Sequence, residues 1–202
     1  MGANVNMIDR CLPRTFYTRE PEAVGRDLIG THLVRRLEGQ LLIGRIVEAE
    51  AYHGPTDTAS HARSGITARN FPMFGQPGHS YVYFIYGMHW MFNIVAHLEG
   101  TAGAILIRAL QPVAGLERMQ ALRGGRPVRD LTNGPARLAQ ALAIDASLND
   151  VDLCVCDVLA LTAGGLRPGE RVVSGPRVRV PGDLEARNRP WRFWIADNPC
   201  VS

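Results

Sequence analysis

Arg45-Ile-Val-Glu-Ala-Glu-Ala-Tyr52 reads as a β-strand by its alternation. Val47, Ala49 and Ala51 face one way, and Glu48, Glu50 and Tyr52 face the other. Two carboxylates and an aromatic ring therefore share one face at intervals of about 7 Å. Gly54 and Pro55, both turn residues, follow and end the strand. Glu50, two residues before that end, is placed to point into a cleft. A solvent-facing polar stripe is the plainer reading, and this stretch alone does not choose between them.

Upstream, residues 31–37 form a second strand candidate, and Glu38-Gly39 is a turn that folds it back onto the strand beginning at Gln40. Before it, Thr18 with Pro21 and Glu22 reads as a helix start, with Val24 and Leu28 on one face and Gly30 as the stop. Downstream, residues 55–77 are polar and irregular, and include His61, Arg63, Arg69, Asn70, Met73 and Phe74. Loops this long in a compact domain are functional or disordered, and the aromatic and methionine content argues for function.

Tyr81-Val-Tyr83-Phe-Ile-Tyr86-Gly87-Met88 and the apolar run to Ala96 predict a hairpin with Tyr86-Gly87 at its tip. Tyr81 and Tyr83 share a face, whereas a tyrosine at a tip has no evident packing reason. Asn93 interrupts an otherwise apolar strand, so it is a structural clamp or a pocket group. Ala104-Ile-Leu-Ile-Arg108-Ala-Leu110 is a buried-strand pattern with one arginine inside it. A buried guanidinium needs an anionic partner, and Glu50 is the natural candidate. Residues 114–122 read as a helix, and Asn133-Gly134-Pro135 opens another carrying Leu138 and Leu142. The last quarter reads as strands at residues 158–162, 172–173, 177–180 and 191–195.

The 202 residues fit one domain, with 46% hydrophobic and 20% charged content, no repeat and no apolar run of membrane-spanning length. No signal pattern opens the chain, which points to a cytosolic protein. Cysteines at 11, 154, 156 and 200 lack the spacing of redox or zinc motifs, and the six histidines have no helical His-x-x-x-His pair, so no metal site is expected. All 22 basic residues are arginine. No lysine is available to form a Schiff base, and guanidinium groups suit bidentate binding of phosphate.

Together, Glu48-Ala-Glu50-Ala-Tyr52-His-Gly-Pro with His61, Tyr81-Val-Tyr83-Phe-Ile-Tyr86-Gly-Met with Asn93, Ile105-Leu-Ile-Arg108-Ala-Leu and Asn133-Gly-Pro-Ala-Arg-Leu resemble the alkyladenine (3-methyladenine) DNA glycosylase family. The resemblance spans about Pro21 to Ile195. It implies a single mixed α/β (α+β) domain over residues 1–202, built on a curved antiparallel sheet with a protruding DNA-inserting hairpin; residues 1–14 are expected to be a loosely ordered tail. It also implies a monofunctional base-excision-repair enzyme that acts on alkylated or deaminated purines in duplex DNA, without cofactor, as a cytoplasmic, nucleoid-associated monomer. Carried over by position, Glu50 would activate water and Arg108 would help hold it. Tyr52, His61 and Tyr83 would stack on the flipped base, Tyr86 would fill the gap in the duplex, and Asn93 would stand against a guanine 2-amino group. Two other readings compete. One is a metal-dependent hydrolase using Glu48, Glu50 and His61; the other is a non-catalytic nucleic-acid-binding module with a tyrosine stacking platform.

Overall fold

The computed structural model describes residues 10–202. Its organising element is strand β2 (Gln40–Tyr52), thirteen residues long and paired along both edges. Strand β1 (His32–Leu37) reaches it through Glu38-Gly39, a two-residue turn with φ of +49° and +77°. Two positive φ values match the right-handed twist of the flanking strands, which is why glycine sits second in the turn. On the opposite edge β2 pairs with strand β5 (Ala104–Ala114), which covers it from Ile43 to Tyr52. At Gly44 the two strands lie so close that a Cβ would come within 2.7 Å of Leu110.

The hairpin is formed by strands β3 (Ser80–Ile85) and β4 (His89–Val95), and β4 docks on β5. Beyond β1 lies strand β6 (Leu159–Thr162). This gives an open antiparallel path β3-β4-β5-β2-β1-β6. Strand β8 (Arg192–Ile195) pairs with β2 at Glu48–Glu50, beyond the point where β1 has ended, and carries strand β7 (Val172–Gly175) on its other edge. The carboxylate stretch therefore sits between β5 and β8, in the most covered part of the sheet.

Among the described residues, five short α-helices pack around this sheet: α1 (Arg14–Tyr17), α2 (Pro21–Asp27), α3 (Leu116–Leu122), α4 (Pro135–Ala141) and α5 (Leu184–Asn188). Leu28, Leu42, Ile46, Phe92, Ile105, Leu110, Leu138 and Phe193 belong to one continuous core between sheet and helices. Burying each such side chain stabilises the fold by about 1.5–3 kcal/mol. The architecture is the mixed α/β class with a large antiparallel sheet expected from the sequence.

Several local expectations need correction. Helix α2 starts at Pro21, with Glu20 at the N-cap position, because proline fixes the first helical φ; Thr18 instead ends α1. Residues 177–180 form a turn rather than a strand, with Arg179 at φ +52°. Of the expected N-terminal tail, residues 1–9 lie outside the described residues. Residues 11–14 are tied down: Leu12 N–H donates to Leu161 at 2.8 Å, Arg14 pairs with Asp152 at 2.6 Å, and Cys11 forms a disulfide with Cys156. Cys11 and Cys156 are 145 positions apart, so local cysteine spacing could not have shown this link. No described helix is long and apolar enough to cross a membrane.

Candidate active site

Where β2 leaves the sheet centre, its two glutamates are both fully buried. The polar-stripe reading therefore fails, because β8 covers the edge that β1 leaves open. The β2–β5 register slips between Ile46 and Ala49, leaving Val47 on one strand and Arg108 on the other without Cα partners in that ladder. Bulges re-aim side chains. Here the bulge brings Arg108 against both carboxylates: Nε donates to Glu48 at 2.9 Å, and an Nη lies 3.3 Å from Glu50 Oε1. Burial pulls the Arg108 pKa down, but Glu50 and then Glu48 outweigh it and hold the pKa above its ordinary value.

Glu50 Oε1 also accepts from the backbone N–H of Val178 at 2.6 Å, and Oε2 accepts from the Tyr52 hydroxyl at 2.8 Å. A carboxylate offers about four acceptor positions. Two are filled by these hydrogen bonds and Oε1 also faces Arg108, so Glu50 keeps an acceptor position on the oxygen that carries only Tyr52, and it lines the cavity described next. Burial, then the Glu50 charge and the hydrogen bond to it, push the Tyr52 hydroxyl well above its usual pKa, so it stays a donor.

The cavity has a volume of about 820 Å³, and Glu50, Tyr52, His61, Tyr83, Asn93 and Arg108 all line it. This is the size of a small-ligand pocket. Its aromatic wall is ordered by mutual contact. The His61 and Tyr83 ring centroids lie 4.6 Å apart, edge to face, and the Tyr81 ring lies 5.2 Å from Tyr83. His61 Nδ1 is 2.8 Å from the Tyr81 hydroxyl. His61 comes from a short 3-10 turn, His61–Ser64, whose start is capped by the Ser60 side chain. Desolvation, with Arg69 and Arg63 nearby, holds the imidazole below its usual pKa and thus neutral. Burial pushes the Tyr83 hydroxyl up to about 12, and the Arg69 guanidinium lies over its ring at 5.1 Å.

Asn93 proves to be both of the things its position allowed. It lines the cavity, and its Nδ2 donates to the Tyr81 carbonyl across the hairpin at 3.0 Å. Tyr86, by contrast, stands at the hairpin tip with 81% of its surface exposed. It adopts φ +55° and Gly87 follows at +67°. For a bulky residue the left-handed region costs about 1–2 kcal/mol, which asparagine or glycine would largely avoid.

For three participants the sequence did not give the role that the fold assigns them. Glu48 is a hub: besides Arg108 it accepts from Arg192 Nε at 2.6 Å and from the Ser202 N–H at 2.7 Å. Arg177 forms a fully buried bidentate pair with Asp57 and lies over the Tyr52 ring at 4.7 Å, fixing the segment after β2 to the C-terminal region. Val178 contributes only its main chain, so no side chain announces it. Apart from Tyr52 beside Glu50, the partners described for Glu48, Glu50 and Asp57 lie 58 to 154 positions away, and only the fold joins them. Among the described residues, the carboxylate and imidazole atoms close enough to share a metal ion belong to Glu20, Glu22 and His53. That group does not include Glu48, Glu50 or His61, as the metal-hydrolase reading requires.

The chain matches the sequence profile of methylpurine-DNA glycosylases over residues 15–199. It belongs to the methylpurine-DNA glycosylase family. It is 48% identical to a protein of Carboxydothermus hydrogenoformans over 95% of this chain and 98% of the other. It is 45% identical to one of Methanocella arvoryzae over 95% of each, and 44% identical to one of Streptomyces avermitilis over 95% of this chain and 90% of the other. Each of these relatives bears the name "Putative 3-methyladenine DNA glycosylase".

Proposed function

We propose that this chain is a monofunctional DNA glycosylase that extrudes alkylated or deaminated purines from duplex DNA and hydrolyses their N-glycosidic bond. The observation that carries this reading is Glu50, with one free acceptor position, in an aromatic-walled cavity below a hairpin that exposes Tyr86. A base cannot be attacked at its sugar bond while stacked, so it must be flipped out and the gap supported. Tyr86 fills the gap, while Tyr52, His61 and Tyr83 enclose the base. Alkylated purines are electron-poor or cationic and favour aromatic faces.

Glu50 takes a proton from water as it attacks the sugar carbon in an oxocarbenium-like transition state. Arg108 and the Val178 N–H hold the carboxylate in place. The enzyme uses no cofactor and acts as a monomer on cytoplasmic DNA. With no lysine side chain in the sequence, the product is an intact abasic site.

Duplexes carrying single 3-methyladenine, ethenoadenine or hypoxanthine lesions, incubated in chelator, test this reading. Free base should be released and borohydride should trap no protein–DNA adduct. Lesion binding without base release would instead favour a binding module, and a trapped adduct would end the monofunctional reading.

A further inference from the structure

Around the back of helix α4 lies a second concavity, lined by Arg123, Arg126, Arg137, Gln140 and one carboxylate, Asp130. The end of α3 builds one wall. The chain leaves it through Gly124 and Gly125, both left-handed at φ +63° and +77°, and returns toward α4 by way of Arg126. A Cβ at either glycine would meet nothing within 4 Å, so the rim is open. Gln140 braces the opposite wall: it accepts from Arg123 and donates to the Leu122 carbonyl at 3.0 Å.

The charge inside this concavity is unbalanced. Asp130 already faces Arg129 at 3.6 Å. Arg137 spends one N–H on Asn133 at 2.7 Å, and Arg123 Nε is buried without a hydrogen-bond partner. Burial, Arg137 and Arg126 hold the Arg123 guanidinium below its ordinary pKa, and the one carboxylate in the concavity, Asp130, offsets them only in part. Three guanidinium forks converging on one open concavity suit a tetrahedral, multiply charged oxyanion.

Helix α4 also relates this concavity to the first. Its first residue, Pro135, lines the Glu50 cavity, and Arg137 and Gln140 line the basic one. From Pro135 to Gln140 the helix rises about 7.5 Å, a distance that covers about two nucleotides along one strand. The two sites use different sides of α4, since residues 135 and 137 are about 200° apart around the axis.

We propose that Arg123, Arg126 and Arg137 form a phosphate-binding site that grips the DNA backbone beside the lesion. DNA that follows the protein surface from one site to the other would curve around α4. The proposal rests on the DNA glycosylase reading, and its test separates the two. Affinity for undamaged duplex is measured across a salt series for wild type, R126Q/R137Q and R123Q/R126Q/R137Q. A wild type that binds no DNA would defeat the glycosylase reading itself. If wild type binds, the slope of log K against log salt should fall by roughly 0.9 per lost contact, so by about 2 in the double variant. Single-turnover base release at saturating DNA should stay within about twofold. The double variant retains Arg123 and its Gln140 contact, so loss of folding in the triple variant leaves the test intact. An unchanged slope in the double variant overturns the proposal.

Pyrophosphate at constant ionic strength distinguishes a free anion from the DNA backbone. Weak binding that competes with DNA in wild type but not in R126Q/R137Q fits a backbone site. Tight, saturable pyrophosphate binding that leaves DNA affinity untouched would overturn the DNA assignment.

Discussion

Glu48 and Glu50 stand two residues apart on one strand, on one face, and both are fully buried, yet their surroundings differ in kind. Glu48 meets two guanidinium groups and a backbone N–H, with Arg192 bonding the Ser202 carbonyl as well. Glu50 meets a hydroxyl, a backbone N–H and the edge of one guanidinium, and opens onto a cavity. The first arrangement uses the carboxylate as a strut joining β5, β8 and the chain end. The second holds it still while sparing an acceptor position. Burial alone therefore does not separate the two carboxylates; what differs is which acceptor positions remain open and what they face.

The sharpest way to break this contrast is Glu50→Gln. The amide keeps the shape but cannot take a proton, so base release should fall by about 10²–10⁴-fold. Lesion-duplex binding should persist, as a gel-shift titration would show. A loss of binding equal to the loss of rate would make Glu50 a structural group like Glu48.

Glu48→Gln should fail differently. It leaves Arg108 and Arg192 facing a neutral amide, and breaking a buried pair of this kind costs about 3–5 kcal/mol. The denaturation midpoint should drop clearly, while the remaining folded fraction loses less activity than Glu50→Gln. Equal activity losses at unchanged stability would refute the strut assignment.

Tyr86 extends the comparison to the hairpin, where exposure replaces burial. Tyr86→Asn removes stacking worth about 1–3 kcal/mol and places at φ +55° a residue that tolerates it. Duplex activity should fall about 5- to 150-fold while thermal stability holds or rises. Lowered stability would show that Tyr86 packs against the domain.

Asn93→Ala tests a smaller effect, because this residue serves both the wall and the hairpin. Both release rates should fall as the bond to the Tyr81 carbonyl is lost, by about 1 kcal/mol in stability. The ratio of guanine-derived to hypoxanthine release should rise severalfold, since the 2-amino group loses its obstruction. A constant ratio would reduce Asn93 to a clamp.

The smallest effect belongs to His61. Its folded pKa is lowered, so below the unfolded value of about 6.5 the unfolded chain binds a proton that the folded chain does not. Stability from this group is fully present above about pH 6.5 and falls with pH down to the folded value. His61→Asn should flatten that acid limb in a stability-against-pH series, leaving base release between pH 7 and 8 without a histidine inflection.

By itself, the sequence determined the strand at residues 45–52, its end at Gly54-Pro55, the β3–β4 hairpin with Tyr86 at its tip and the arginine inside β5. These follow from alternation, turn residues and β-rich runs, which act over a few positions. The family and the positions that line the cavity were also legible, because Glu50, Tyr52, Tyr83 and Arg108 stand in continuous, specific blocks. What only the tertiary structure decided was how those residues are held. The bulge that turns Arg108 toward Glu48, the Val178 N–H on Glu50, the Arg177–Asp57 pair and the Cys11–Cys156 link all join segments far apart in sequence. Residues 177–180 are rich in β-formers yet stay a turn, because there the chain uses its main-chain N–H to bind Glu50 instead of a neighbouring strand. Local propensity carries no information about a distant buried acceptor, and an unpaired one costs more than the propensity is worth.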